Sequence, residues 1–441
     1  MKLPRIFIFL IIILFTTACD GLNNEQIVLS DTASPVSITP QPSKTHQPTK
    51  TVRPTQTIVP TPNVCSKQTV PTDAIGESQS DLYTDKLIAY TLDNNQGSND
   101  IYISNWDGQH KRNITNHPAD DGDPQWSPDG EYISFLSNRN SPLNFSCSGA
   151  SDECKYKLFI IKPNGAGLKQ ITKEWTFSPS WSPNNKQIVF LGAFKSELSP
   201  NPNDPFLYDI FVVNSDGTNL RNLTNSPGYY SDPVWSPDGQ QIAFQFEGMA
   251  TYPPSIKIIS ADGTSLSAYS ERQAYEMVWA PNGHSLLFAT RPNNSSGNDL
   301  YKLKVDTSTL EQLTFSPHDT KETLSLSPDG KWLAYHLRSD YQQLGNMCDQ
   351  VRVLNTETLK DYFVYDAKDI EKIPLNESGS TPLYFPVSIS SLIWRPDSKQ
   401  LIFRQGYQIP MIYGDFSDNF SIELDGSHLE HFDANVEAIQ P

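Results

Sequence analysis

One phrase recurs along the chain and limits what it can fold into. It reads Trp126-Ser127-Pro128-Asp129-Gly130, Trp181-Ser182-Pro183-Asn184-Asn185, Trp235-Ser236-Pro237-Asp238-Gly239 and Trp279-Ala280-Pro281-Asn282-Gly283. Two altered copies follow, Leu326-Ser327-Pro328-Asp329-Gly330 and Trp394-Arg395-Pro396-Asp397-Ser398. Each phrase has the chemistry of a strand end and a tight turn. Proline presets φ at the first turn position, and the Asp or Asn and the Gly that follow tolerate the turn and its positive φ. An alternating apolar run comes directly after, as in Tyr132-Ile133-Ser134-Phe135 and Ile242-Ala243-Phe244, which is the signature of a strand with one buried face. Helical periodicity is absent. Copies spaced 44 to 68 residues apart match a four-stranded blade with variable loops.

Strand counting sets the number of blades. Six turns of this kind are visible, but second strands number seven, because Leu87-Ile88-Ala89-Tyr90 precedes the first turn. Third strands also number seven, from Asp100–Ser104 to Phe420–Leu424. The missing first strand is assigned to Val436–Ile439 at the C-terminus, which would complete blade 1 and close the ring. The expected fold is all-β, a seven-bladed β-propeller of four-stranded antiparallel blades, with six blades as the alternative. The repeat tryptophans are expected to pack between blades.

These phrases resemble the repeats of TolB-type propellers and, more generally, of WD-repeat-like propellers, over residues 85 to 441. The resemblance implies the fold. It does not fix a function, because such propellers serve as scaffolds, peptidase domains and lyases. In TolB-type proteins an α/β domain precedes the propeller; here that place is taken by a different kind of segment, so a Tol–Pal role is not carried over.

That segment follows an export signal. Two positive charges in Met1–Arg5 precede the apolar run Ile6–Phe15, which is short for a membrane span and right for a signal-peptide core. Thr16-Thr17-Ala18-Cys19 resembles a bacterial lipobox, which implies acylation of Cys19 and a membrane anchor. From Asp31 to Pro62, Thr, Pro and Ser supply 18 of 32 residues with no Phe, Trp or Tyr, too little apolar surface to offset the entropy of ordering. The expected organisation is a lipoprotein signal peptide (1–19), a disordered Pro/Thr/Ser-rich stalk (20–80) and the propeller (81–441). Localisation is expected to be extracytoplasmic, on the bacterial membrane or cell surface. Four further cysteines suit an oxidising compartment. Of the three pairings, Cys147 with Cys154 is local, which leaves Cys65 for Cys348. A cysteine–histidine metal site is disfavoured because no His lies nearby at ligand spacing.

With 33 Lys+Arg against 50 Asp+Glu and a net charge of −17, the chain lacks the clustered positive charge that nucleic acid requires. No Gly-x-Ser-x-Gly elbow, His-Glu-x-x-His or Gly-rich phosphate loop is present. His428 and His431 on one strand face opposite sides and cannot share a metal. The loops entering the innermost strands are the remaining place for a site. They carry the aromatic candidates Trp175, Phe177, Tyr229, Tyr230, Tyr275, Tyr384 and Phe385, together with His318. Asp120, Asp121, Asp123, Asp232 and Asp319 are the candidates for a divalent cation, with solvated loop acids the plainer reading. Oligogalacturonate lyases share a similar propeller but use a multi-His metal centre; only His117 and His318 occur on these loops. The expectation at this stage is a monomeric, non-catalytic binding or scaffold protein that needs no cofactor and engages an envelope protein or glycan. The alternative is a propeller lyase or hydrolase using acids and His at the channel mouth.

Overall fold

The computed structural model describes residues 67–71, 74, 86–93, 98–105, 109–139, 156–173, 175–195, 206–226, 228–247, 254–270, 274–292, 297–316, 319–339, 348–367, 385–408, 415–432 and 438–439. Alternating apolar sequences become strands here, and the strands fall into seven antiparallel sheets of four. Blade 1 takes its innermost strand, Ala438–Ile439, from the C-terminus, against Leu87–Asp93, with Ile88 opposite Ile439 and Ala89 opposite Ala438. Blades 2 to 7 each use four consecutive strands. Their innermost strands are Asp121–Trp126, Trp175–Trp181, Tyr230–Trp235, Ala274–Trp279, Asp319–Leu326 and Phe385–Trp394. The protein is a seven-bladed β-propeller, as the strand count implied.

The repeat explains how the blades hold one another. Seven apolar clusters lie at the seven joints between neighbouring blades, from Ile101, Trp126 and Phe135 between blades 1 and 2 to Ile88, Tyr90 and Ile402 between blades 7 and 1. The indole N–H groups cross the same joints. Trp181 Nε1 donates to Ser134 Oγ at 2.9 Å, and those of Trp235, Trp279 and Trp394 donate to the carbonyls of Ser180, Val234 and Ser325 at 2.9–3.2 Å. Each of these four rings therefore fills a joint and satisfies its one polar atom on the preceding blade, whereas the buried Trp126 Nε1 has no such partner among the described residues. Trp181→Ala is expected to cost about 3–5 kcal/mol, read by denaturant or thermal melting, because it removes a large buried ring and orphans the Ser134 partner. A loss below about 1 kcal/mol would show that the joint does not depend on the indole.

The turns are linked as well. Asp129 N donates to Asn185 Oδ1 at 2.9 Å and Asp329 N to Ser398 Oγ at 3.1 Å, so one repeat turn caps the next. Within each turn Ser127, Ser236 and Ser327 donate to the Asp two residues on, at 2.6–2.7 Å.

One assignment differs from the sequence reading. Residues 67–70 were placed in the stalk, but they run along the outer strand of blade 6, Asp361–Asp366. Phe363 N donates to Gln68 O at 2.8 Å, Thr69 pairs with Phe363 in parallel, and Val70 is buried in the cluster between blades 6 and 7. The Thr/Pro-rich composition hid this short extended piece, whose single apolar residue finds a seat only on the finished ring.

Candidate functional site

Six innermost strands carry the same irregularity. The pairing to the second strand slips between Gly122 and Gln125, Phe177 and Ser180, Ser231 and Val234, Tyr275 and Met277, Glu322 and Ser325, and Ser390 and Ile393. Within each slip one non-glycine residue adopts a left-handed backbone: Asp123, Ser178, Asp232, Glu276, Thr323 and Ser391, with φ of 45–57°. All lie three residues before the repeat Trp or Leu. A bulge turns an extra side chain out of the ladder, and non-glycine residues in this region store strain that clusters at functional sites. On an innermost strand the freed side chain can only face the central channel. Asp123, Asp232 and Glu276 are exposed while the next residue of each, Pro124, Pro233 and Met277, is buried.

Three of the six bulge residues are therefore carboxylic acids, at equivalent positions of the innermost strands of blades 2, 4 and 5. Burial pushes the Asp123 and Glu276 carboxyls above their usual range, although water reaches both along the channel. For Glu276, hydrogen bonds from the backbone of Leu324 and Thr323 oppose that rise, whereas the negative charges of Glu322 and Asp232 add to it. Its Oε2 accepts from Leu324 N at 2.5 Å, tying blade 5 to blade 6. A carboxyl of raised proton affinity beside a second carboxyl, as Glu276 is beside Asp232, can exchange a proton with a bound substrate.

The sequence candidates divide. Asp123 and Asp232 reach the channel. Asp120 and Asp121 do not act as free loop acids: Asp120 accepts from Tyr156 Oη at 2.5 Å and from Asn99, and buried Asp121 pairs with Arg139 at 2.7 Å. Asp319 is buried at the start of its strand. His117 is spent on its own loop, its Nδ1 accepting from Ala119 N at 3.0 Å. Among the described residues no set of three His, Cys, Asp or Glu is arranged to hold a metal. Phe177, Tyr229 and Tyr230 line one pocket between blades 3 and 4, and Trp175 packs on Phe177 with ring centroids 5.2 Å apart. His318, Tyr384, Cys19, Cys65, Cys147 and Cys154 lie outside the described residues, as do the side chains of Tyr275, Phe385 and Cys348. Glu276 and Tyr208 were missed. Aligning each copy three residues upstream of its tryptophan would have exposed the carboxylate series; nothing local marks Tyr208.

Residues 203–351 match the model of the TolB beta propeller domain. The Tol-Pal system protein TolB of Francisella tularensis is 25% identical over 246 residues, which cover 54% of this chain and 50% of that protein. This chain is a TolB-like β-propeller protein. The chain is also similar to the uncharacterized peptidase YuxL of Bacillus subtilis, 21% identical over 215 residues covering 48% of this chain and 29% of the peptidase. The chain thus spans half or less of these relatives' length. Among solved structures, oligogalacturonate lyase in complex with manganese superposes with a TM-score of 0.54 at 14% identity, covering 76% of this chain and 85% of the lyase, a likeness of fold. The expectation of a non-catalytic scaffold without enzyme activity is corrected by these likenesses. The sequence shared with a peptidase supports the alternative, a propeller enzyme.

Proposed function

We propose that this TolB-like propeller belongs to an exported hydrolase or lyase whose channel carboxyls carry proton transfer. The observation that supports it is the bulge series, which brings Asp123, Asp232 and Glu276 to the channel wall from blades 2, 4 and 5, two of them with raised proton affinity. In this reading Glu276 is the general acid, because burial and the charges of Glu322 and Asp232 keep it protonated to higher pH, and Asp232 is the base. The peptidase relative favours a peptide substrate; the lyase neighbour makes a polyuronide the second class to test. Export by the segment 1–19, acylation of Cys19, an envelope location with an envelope-protein neighbour, and the pairings Cys147–Cys154 and Cys65–Cys348 complete the proposal.

Purified protein would be assayed on peptide nitroanilides and on oligogalacturonides, the latter by formation of unsaturated product. Glu276→Gln is expected to lower kcat/KM about 100-fold or more and to remove the limb of the pH profile that lies above the ordinary carboxyl range. Turnover unchanged in both Glu276→Gln and Asp232→Asn would refute the assignment. The same variant has a signature in stability. A carboxyl whose folded pKa is raised contributes stability below its unfolded value, near 4.5, and loses it as pH rises through the folded value. Glu276→Gln should therefore melt higher than the parent at neutral pH, with the gap closing near pH 4.

A further inference from the structure

Asp100, Asp121, Asp209, Asp299, Asp319 and Asp366 are buried, and a buried carboxylate is costly unless donors or a cation meet it. Five of them are met. Asp100, Asp209 and Asp299 each accept from a side-chain amide, a threonine hydroxyl and a backbone N–H. Asp121 pairs with Arg139, and Asp366 accepts from Gln350 and lies 3.9 Å from Lys67. Asp319 is the exception. It is 3% exposed, its Oδ1 has no donor, and no ion pair reaches it among the described residues.

Two further oxygens beside it are in the same condition. Asn298 Oδ1 and Ser339 Oγ are buried without a hydrogen-bond partner. The fold brings all three residues to the joint between blades 5 and 6. Ser339, in the second strand of blade 6, lies directly opposite Asp319 in the first, so both side chains leave the same face of the sheet. That face is turned to blade 5: Leu337, two residues before Ser339, shares an apolar cluster with Leu300, and Lys321, two residues after Asp319, reaches Asp299. Asn298 precedes the third strand of blade 5 and donates its N–H to Asp319 O at 2.9 Å. A β-carbon on Gly297 would come within 2.2 Å of the same oxygen, so only glycine lets the two segments meet this closely.

Charge and donor type select the ligand. The neighbouring ammonium, Lys321, is held by Asp299 Oδ1 at 3.1 Å and Asn298 O at 3.0 Å. Asp299 and Asp319 against Lys321 leave one negative charge over, and the chain as a whole carries −17. A carboxylate, an amide oxygen and a hydroxyl supply neither nitrogen nor sulfur. Such a set suits a hard cation rather than a transition metal.

We propose that Asp319, Asn298 and Ser339 bind a hard metal cation, sodium or calcium, which neutralises the surplus carboxylate and clamps blade 5 to blade 6. The site is separate from the channel carboxyls. Its test reads stability, so it stands or falls independently of turnover.

The whole chain, freed of metal by chelation and dialysed into choline chloride, would be melted with CaCl2 or NaCl replacing choline at constant ionic strength. One of the two salts is expected to raise Tm by about 2 °C or more, saturating in the millimolar range, and the salt that does so identifies the ion. Asp319→Asn keeps the shape of the side chain; it should melt at or above the parent without metal and lose the response. Asn298→Asp adds a second carboxylate, so it should melt below the parent without metal and respond at about tenfold lower concentration. A parent indifferent to both salts, or a response undiminished in Asp319→Asn, would overturn the proposal. A loss of stability in Asn298→Asp that neither salt repairs would mean that the amide donates to Asp319, and would overturn it as well.

Discussion

Asp299→Ala is expected to destabilise the propeller by about 3–5 kcal/mol, among the largest effects of any single substitution, because it strands a buried cation. Lys321 and Asp299 are each only 2% exposed and meet at 3.1 Å, and Lys321 Nζ donates also to Asn298 O at 3.0 Å. Removing the carboxylate leaves the ammonium one neutral carbonyl and no route to water. It also frees Gln312, Thr314 and the Ser316 N–H, which all donate to Asp299.

The repeat supplies the control. Asp100 and Asp209 occupy the same place in blades 1 and 3 and accept the same three kinds of donor, Asn113, Thr115 and His117 N in one and Asn222, Thr224 and Ser226 N in the other. Among the described residues no lysine bonds Asp209, so three donors suffice to hold this carboxylate. Lys321→Met should therefore cost less than about 1.5 kcal/mol, since it removes the cation and leaves a satisfied acid. Melting in urea or heat distinguishes the two variants. Equal losses would mean that the ion pair itself, not the stranded charge, sets the energy.

Deleting residues 436–441 is the second large effect expected. The strand Ala438–Ile439 covers Ile88 and Ala89, both fully buried, and completes the joint where Ile88 and Tyr90 pack on Ile402 of blade 7. Without it the strand Leu87–Asp93 becomes an open edge facing the channel, and blade 1 loses its innermost wall. Uncovering Ile88 and Ala89 and losing the ladder hydrogen bonds amounts to about 2–4 kcal/mol. The exposed edge should pair with other copies and drive association, seen by light scattering and size exclusion. Hydrogen exchange at Ile88 and Ala89 should accelerate before that of the outer strands. A truncated protein that stays monodisperse and melts like the parent would show that the ring holds without this closure.

Particular residues show how far the chain could be read. The seven-blade count came from Leu87–Tyr90 lacking a first strand, and Ile439 does pair with Ile88. The tryptophans were legible as joint fillers, because a large apolar ring after a period-2 strand has few other uses. The acidic cluster at 120–123 was legible only as charge. Its division into a structural pair and one channel carboxylate depends on Tyr156, Asn99 and Arg139, which lie 18 to 36 residues away from their partners. The pocket was half visible: Phe177, Tyr229 and Tyr230 were read as entering-loop residues, although Phe177 and Tyr230 lie in innermost strands, while Tyr208 and Glu247 come from and beside other strands of the two blades.

The sequence by itself determined the architecture, since turn chemistry and apolar alternation act within a dozen residues and repeat often enough to fix strand order and closure. The tertiary structure alone decided which charges meet. Asp232, Glu276 and Glu322 belong to three blades and come together only once the ring has formed. The raised proton affinity of Glu276 follows from that enclosure, which no local stretch of the chain contains.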